Sequence, residues 1–145
     1  MGLFDKILAP VDGSRYSLDA VVLAAKLAAF HDSQLKLFHV IDVLLVDQLK
    51  RLSGIDQEST LEELRQRAEG FLKDMEREAA SHGADPQAHI EEGVPHDAIL
   101  KEVLSWKADL IVMGKLGRRG VSHMVLGSVT ERVIEFSDVP VLVVK

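Results

Sequence analysis

The chain contains no cysteine, has only 4 prolines, and draws just 5% of its residues from Phe, Trp and Tyr. Without cysteine there is no disulfide framework, no thiolate zinc site, no thiol redox chemistry and no cysteine nucleophile; the lack also fits a reducing compartment. Long apolar runs are missing too, and none approaches the ~18 residues of a membrane helix. The opening Met1-Gly2-Leu3-Phe4-Asp5-Lys6 has no basic stretch followed by an apolar block, so no secretory signal is expected. Lys6 stands where a myristoylation signal carries Ser or Thr. Basic charge is in deficit: Lys plus Arg number 17 against 23 Asp plus Glu, a formal net charge of −6. An acidic chain is a poor partner for nucleic-acid phosphates, which need a basic face. These absences predict a cytoplasmic protein that binds neither membrane nor nucleic acid.

What is present is ordinary globular material. Hydrophobic residues make up 47% and charged residues 28% of 145 positions, enough for one domain over residues 1–145 with a core of its own. No internal repeat, low-complexity tract or linker divides it. Ile7-Leu8-Ala9-Pro10-Val11 reads as a buried strand that ends in the turn residues Asp12-Gly13-Ser14. Ser14 or Ser17 starts a helix, with Leu18, Val21, Val22, Ala25, Ala28 and Ala29 at helical spacing up to about His31. Leu35 to Ile41 is a second strand. Residues 42–59 stay open between a short helix and a flap. Ser59-Thr60-Leu61-Glu62 matches a capping box, with Ser59 at the N-cap, and the helix it opens should close at His82-Gly83 with the glycine as a left-handed cap.

Ala88 to Glu91 is a weak third strand. A helix with Pro95 early in it follows, burying Ile99, Val103 and Trp106 on one side, with Trp106 packed at the helix end. Leu110-Ile111-Val112-Met113 is a strong strand closed by Gly114. After a glycine-punctuated loop, Ser128 opens a last helix and Pro140 to Val144 forms the final strand. Strand and helix alternate, and several strands are apolar on both faces, as they must be when helices cover both sides of a sheet. The expected fold class is α/β, a doubly wound parallel sheet.

In such sheets ligands bind beyond the carboxyl ends of the strands, where strand order reverses. Two segments with unusual residues end at that edge. One is Asp12-Gly13-Ser14. The other is Gly114-Lys115-Leu116-Gly117-Arg118-Arg119-Gly120, continuing to Gly127-Ser128. The second suits an anion: glycines let backbone approach a phosphate and allow φ > 0 in turns, and Gly127-Ser128 lies where free N–H groups and the positive end of a helix dipole meet. Lys115, Arg118 and Arg119 add local basic charge inside an acidic chain. The same residues also suit a long loop that needs glycines and a helix that needs a cap, and Asp12 equally suits a capping carboxylate. The P-loop pattern GxxxxGK[ST] and the dinucleotide pattern GxGxxG are both absent. The clustered carboxylates of a phosphoacceptor domain are absent too. The six histidines are scattered and assemble no zinc site.

The spacing present is Gly114-x2-Gly117-x9-Gly127-Ser128. With Ile7-Leu8-Ala9-Pro10-Val11-Asp12-Gly13-Ser14, His39-Val40-Ile41-Asp42, Gly93-x-Pro95, Asp109 to Gly114 and Pro140 to Val144 in order, the chain resembles the nucleotide-binding branch of the universal stress protein family. The resemblance implies a five-stranded sheet in the order 3-2-1-4-5, with ATP over the ends of strands one and four. Asp12 and the backbone at Val40 would face the adenosine. Pro10, Met113 and Gly114 would line the site. Gly117, Gly127, Ser128 and Val129 would hold ribose and phosphates, with Lys115 and Arg118 beside them. Mg²⁺ would sit on the phosphates rather than in a protein cage. The family often carries a histidine or serine between its first two glycines, where this chain has Lys115-Leu116.

The resemblance further implies a homodimer through Val139 to Val144, which would remove an apolar edge. Val43 to Leu52 would either cover the nucleotide or extend that interface. The implied function is that of an ATP-binding stress-response module whose occupancy biases conformation or partner choice. The alternatives are a weak ATP-hydrolysing enzyme, for which no dedicated base is evident, and a nucleotide-free dimerisation or scaffold module.

Overall fold

A computed structural model describes residues 2–54, 56–117 and 126–145. Ten elements follow in chain order: β1 (Lys6–Pro10), α1 (Arg15–His31), β2 (Gln34–Asp42), α2 (Val43–Ser53), α3 (Gln57–Ser81), β3 (Pro86–Gly93), α4 (Pro95–Trp106), β4 (Leu110–Gly114), α5 (Ser128–Phe136) and β5 (Val141–Val144). The strands form one parallel sheet in the order β3-β2-β1-β4-β5. The expected doubly wound fold and its strand order are therefore the observed ones.

Period-two alternation explains the layering. Ile7 and Ala9 of β1 face one side, with Leu35 and Leu37 of β2, and meet Ala20, Val21, Ala24 and Ala25 of α1 and Leu72, Met75 and Ala79 of α3. Leu8 of β1 faces the other side, with Phe38, Val40, Ile111 and Met113, and meets Ile99 and Val103 of α4 and Val133 of α5. Alanines line α1 where it crosses the sheet, which lets the helix lie close to the strands. Trp106 does pack at the end of α4. The Lys36 ammonium stands 4.5 Å from its ring centroid and also pairs with Glu102 at 2.6 Å.

Local signals mostly set the boundaries. Ser14 caps α1, accepting the Ser17 N–H, and α1 ends on Asp32 at φ 56, a left-handed conformation that a short polar side chain tolerates. Gly83, at φ +92, follows α3 as expected. The capping box needs correcting. The N-cap of α3 is Asp56, not Ser59, and its carboxylate accepts the Ser59 N–H. A carboxylate three residues earlier starts the helix sooner, so Ser59 becomes its N3 residue and both Ser59 and Glu62 are absorbed into the helix. The open stretch after residue 42 becomes α2, capped by Asp42 and stopped by Gly54 at φ 67. Only Val46 of α2 is buried, while Leu44, Leu49 and Leu52 are exposed.

The weak third strand proves to be eight residues in continuous register with β2. Pro140 precedes β5 rather than joining it. No helix among the described residues is long and apolar enough to cross a membrane.

Candidate functional site

β1 connects through α1 to β2 on one side, while β4 lies on its other side, so strand order reverses between β1 and β4. Their register pairs Ile7 with Leu110 and Leu8 with Ile111, which brings the segments after Pro10 and Gly114 to one edge. Pro10 is the buried last residue of β1, and the ladder runs one step further through Val11 N–H to the Phe38 carbonyl at 2.9 Å.

From there the chain turns at Asp12. One oxygen, Oδ1, accepts the Ser14 N–H at 2.9 Å, and the Asp12 N–H reaches the Ser17 hydroxyl at 3.4 Å. The other, Oδ2, lies over Gly117: a Cβ built there would stand 2.7 Å from it. Asp12 thus supports the start of α1 and meets the glycine loop at the same time. Its capping and site readings describe two oxygens of one carboxylate.

The glycines of the motif serve three different ends, and none has the positive φ that the sequence allowed for. Positive φ among the described glycines belongs to Gly13, Gly54 and Gly83. Gly114 is filled from behind, because a Cβ there would lie 2.8 Å from the backbone C and O of Tyr16 in the first turn of α1. Gly117 makes room for the Asp12 carboxylate. Gly127 packs on the loop, with a Cβ position 3.4 Å from Gly117 N and Leu116 Cα, and its N–H donates to the Lys115 carbonyl at 2.8 Å. Lys115 is itself tied to β5, its N–H donating to the Val144 carbonyl at 2.8 Å.

Gly127 is the N-cap of α5, and among the described residues no side chain caps this helix end. The first helical backbone bond runs from Glu131 N–H to the Gly127 carbonyl at 2.9 Å. The N–H groups of Ser128 and Val129 therefore come before the helix's own ladder, as at any helix start. Ser128 is exposed, Val129 is half-buried against the α4–α5 core, and Met113 and Val40 are buried beneath. Arg118, named from the sequence along with Arg119 and Gly120, lies outside the described residues.

The edge thus combines the first N–H groups of a helix, glycine at two positions, the Lys115 charge and one carboxylate opposite. That chemistry fits a ligand with an anionic end and a polar, uncharged end. Among the described residues no group of three or more His, Asp or Glu is placed to hold a metal ion. Two cavities, of about 410 and 380 Å³, lie elsewhere: one beside Gly2, Leu3, Phe30 and His31, the other between the end of β3 and α4.

Sequence reasoning passed over two residues that hold this edge. Thr130 is buried and donates its hydroxyl to the Gly114 carbonyl at 3.0 Å, locking α5 to β4. Leu116, between the two glycines, is also buried and anchors the loop. The signal for Thr130 was its place three residues before Val133, on the same inward stripe of α5.

Comparison with known proteins adds an independent line. The description "Universal stress protein family" matches residues 3–145. Universal stress protein MJ0531 of Methanocaldococcus jannaschii is 37% identical over 143 residues, covering 99% of this chain and 83% of the relative. The solved structure of MJ0577, from the same organism, superposes with a TM-score of 0.85 at 29% identity, covering 99% and 96% of the two chains. A universal stress protein solved in complex with cAMP superposes with a TM-score of 0.71 at 25% identity, covering 98% and 97%.

Proposed function

The chain belongs to the universal stress protein family, and from that premise we propose that it binds ATP at the β1–β4 edge and that occupancy biases its conformation or choice of partner. The observation that carries this reading is the start of α5, capped by no described side chain and packed on Gly117, with Asp12 opposite. A phosphate chain suits the Ser128 and Val129 N–H groups and the Ser128 hydroxyl, where the helix dipole favours negative charge. Gly117 and Gly127 leave it room. Lys115 and Arg118 add positive charge. Asp12 and the Val40 backbone take the adenosine, above a floor of Pro10, Met113 and Gly114. Mg²⁺ is held by the phosphate oxygens, which usually supply much of its coordination. The relative solved with cAMP supports an adenine nucleotide as the ligand class.

The same reading places the protein in the cytoplasm and pairs it with a second copy. β5 is an edge strand, and Leu142 on it is 37% exposed. Antiparallel pairing of Val139 to Val144 with its two-fold mate removes that edge. Sedimentation equilibrium of the purified protein should report a dimer; a monomer at micromolar concentration rules this pairing out.

The decisive experiment for the ligand is calorimetric titration of nucleotide-stripped protein with Mg-ATP, and with ADP, AMP and cAMP alongside. Saturable binding with Mg-ATP the tightest is the expected result. If no adenine nucleotide binds, the ATP assignment fails and the dimerisation module takes its place.

A further inference from the structure

We propose that His39 is a positioning residue for the nucleotide site, holding the Val11–Asp12 peptide so that the Asp12 carboxylate faces the ligand. This rests on the ATP reading above. The β1–β2 ladder ends with Val11 N–H on the Phe38 carbonyl. The next bond in line comes from a side chain: His39 Nδ1 lies 2.7 Å from the Val11 carbonyl oxygen. A carbonyl can only accept, so Nδ1 donates and carries a proton. The imidazole thus adds one more rung to the sheet where backbone pairing runs out.

A second contact makes this rung a clamp. The Phe71 and His39 rings meet in a T-shaped pair, their centroids 4.9 Å apart and their planes at 90°. Phe71 also lies against Gly13, where a Cβ would stand 2.9 Å from its Cδ2 and where φ is +83. His39 therefore holds the residue before Asp12, Phe71 presses on the residue after it, and the two rings brace each other. Both come from elements outside the glycine motif, β2 and α3. The Asp12 carboxylate then has one oxygen on Ser14 N–H and the other over Gly117. Binding groups work only when held to within about half an ångström by such supports, so loss of the rung would turn the Asp12 peptide and weaken binding without touching the ligand.

The first test is spectroscopic and uses the wild-type full chain. Long-range ¹H–¹⁵N correlation of the neutral histidines should show His39 with its proton on Nδ1, the form free histidine disfavours. A proton on Nε2 with none on Nδ1 overturns the proposal. The second test titrates Mg-ATP into His39→Leu and His39→Asn, with melting curves beside it. The asparagine amide reaches where Nδ1 stood and keeps the donor, while leucine loses it. His39→Leu should bind about tenfold more weakly, the scale of one hydrogen bond, and His39→Asn should recover to within about threefold of wild type.

Wild-type affinity in His39→Leu, or equal loss in both variants when both fold, overturns the proposal. Should His39→Leu fail to fold, the tautomer and His39→Asn decide. Failure of the wild type itself to bind Mg-ATP overturns the ATP reading instead, and with it the role given to His39.

Discussion

Gly114 ends β4 and Gly127 caps α5, and both belong to one motif, yet they are glycine for opposite reasons. Gly114 is closed in, with the backbone of Tyr16 where its side chain would be and the Thr130 hydroxyl on its carbonyl. Gly127 caps a helix that no described side chain caps, and among the described residues nothing outside its chain neighbours stands closer than 3.4 Å to its Cβ position. The first glycine lets α1 seat on β4. The second keeps side-chain atoms away from a helix start. A motif read as one phosphate cradle thus holds glycines with different packing roles.

Substitution should pull the two apart. The largest effect expected is on stability at the closed end. Gly114→Ala forces a methyl against backbone that cannot swing aside, and should cost about 3 kcal/mol by denaturant titration, near the top of the usual range for overpacking. A loss under about 0.5 kcal/mol, the range of an ordinary surface change, would show that α1 can back away and would end the distinction.

Next is Gly127→Asp. Aspartate is a good N-cap and its charge suits a helix start, so the fold should hold. The same charge repels phosphate, and Mg-ATP affinity should drop about a hundredfold, or roughly 2.7 kcal/mol. Undiminished binding by a folded Gly127→Asp would move the ligand away from α5.

Thr130→Val sits between the two and should have the smallest effect. It strips the Gly114 carbonyl of its donor at nearly constant volume, costing about 1.5 kcal/mol of stability. Because it loosens α5 from β4, it should also weaken Mg-ATP binding about threefold, a shift of well under 1 kcal/mol. Stability loss with unchanged affinity would mean that the helix start keeps its place without this tie.

The order of elements was legible because β1 and β4 are apolar on both faces and each helix carries a stripe toward the sheet. The turn at Gly83 and the Ser14 cap were legible as local chemistry. Less legible was residues 42–59. Its leucines stay largely on the surface of α2, so their spacing marks no core face. The start of α3 was misplaced because Asp56, three residues before Ser59, caps the helix and accepts the Ser59 N–H. At the site, the glycine spacing did not give the packing reason for each glycine, and it gave no weight to Thr130, Phe71 or the ring of His39.

The sequence by itself determined which segments are strands and helices, where most of them begin and end, and that a glycine-rich loop leads into the last helix. Those are relations between near neighbours, at periods of two and 3.6 residues or within one turn. Only the tertiary structure decided that Gly114 faces Tyr16, that Gly117 faces Asp12, and that the His39 ring completes the ladder of β1. Those contacts join residues far apart in the chain, and they exist only because β1 lies between β2 and β4 in a fixed register.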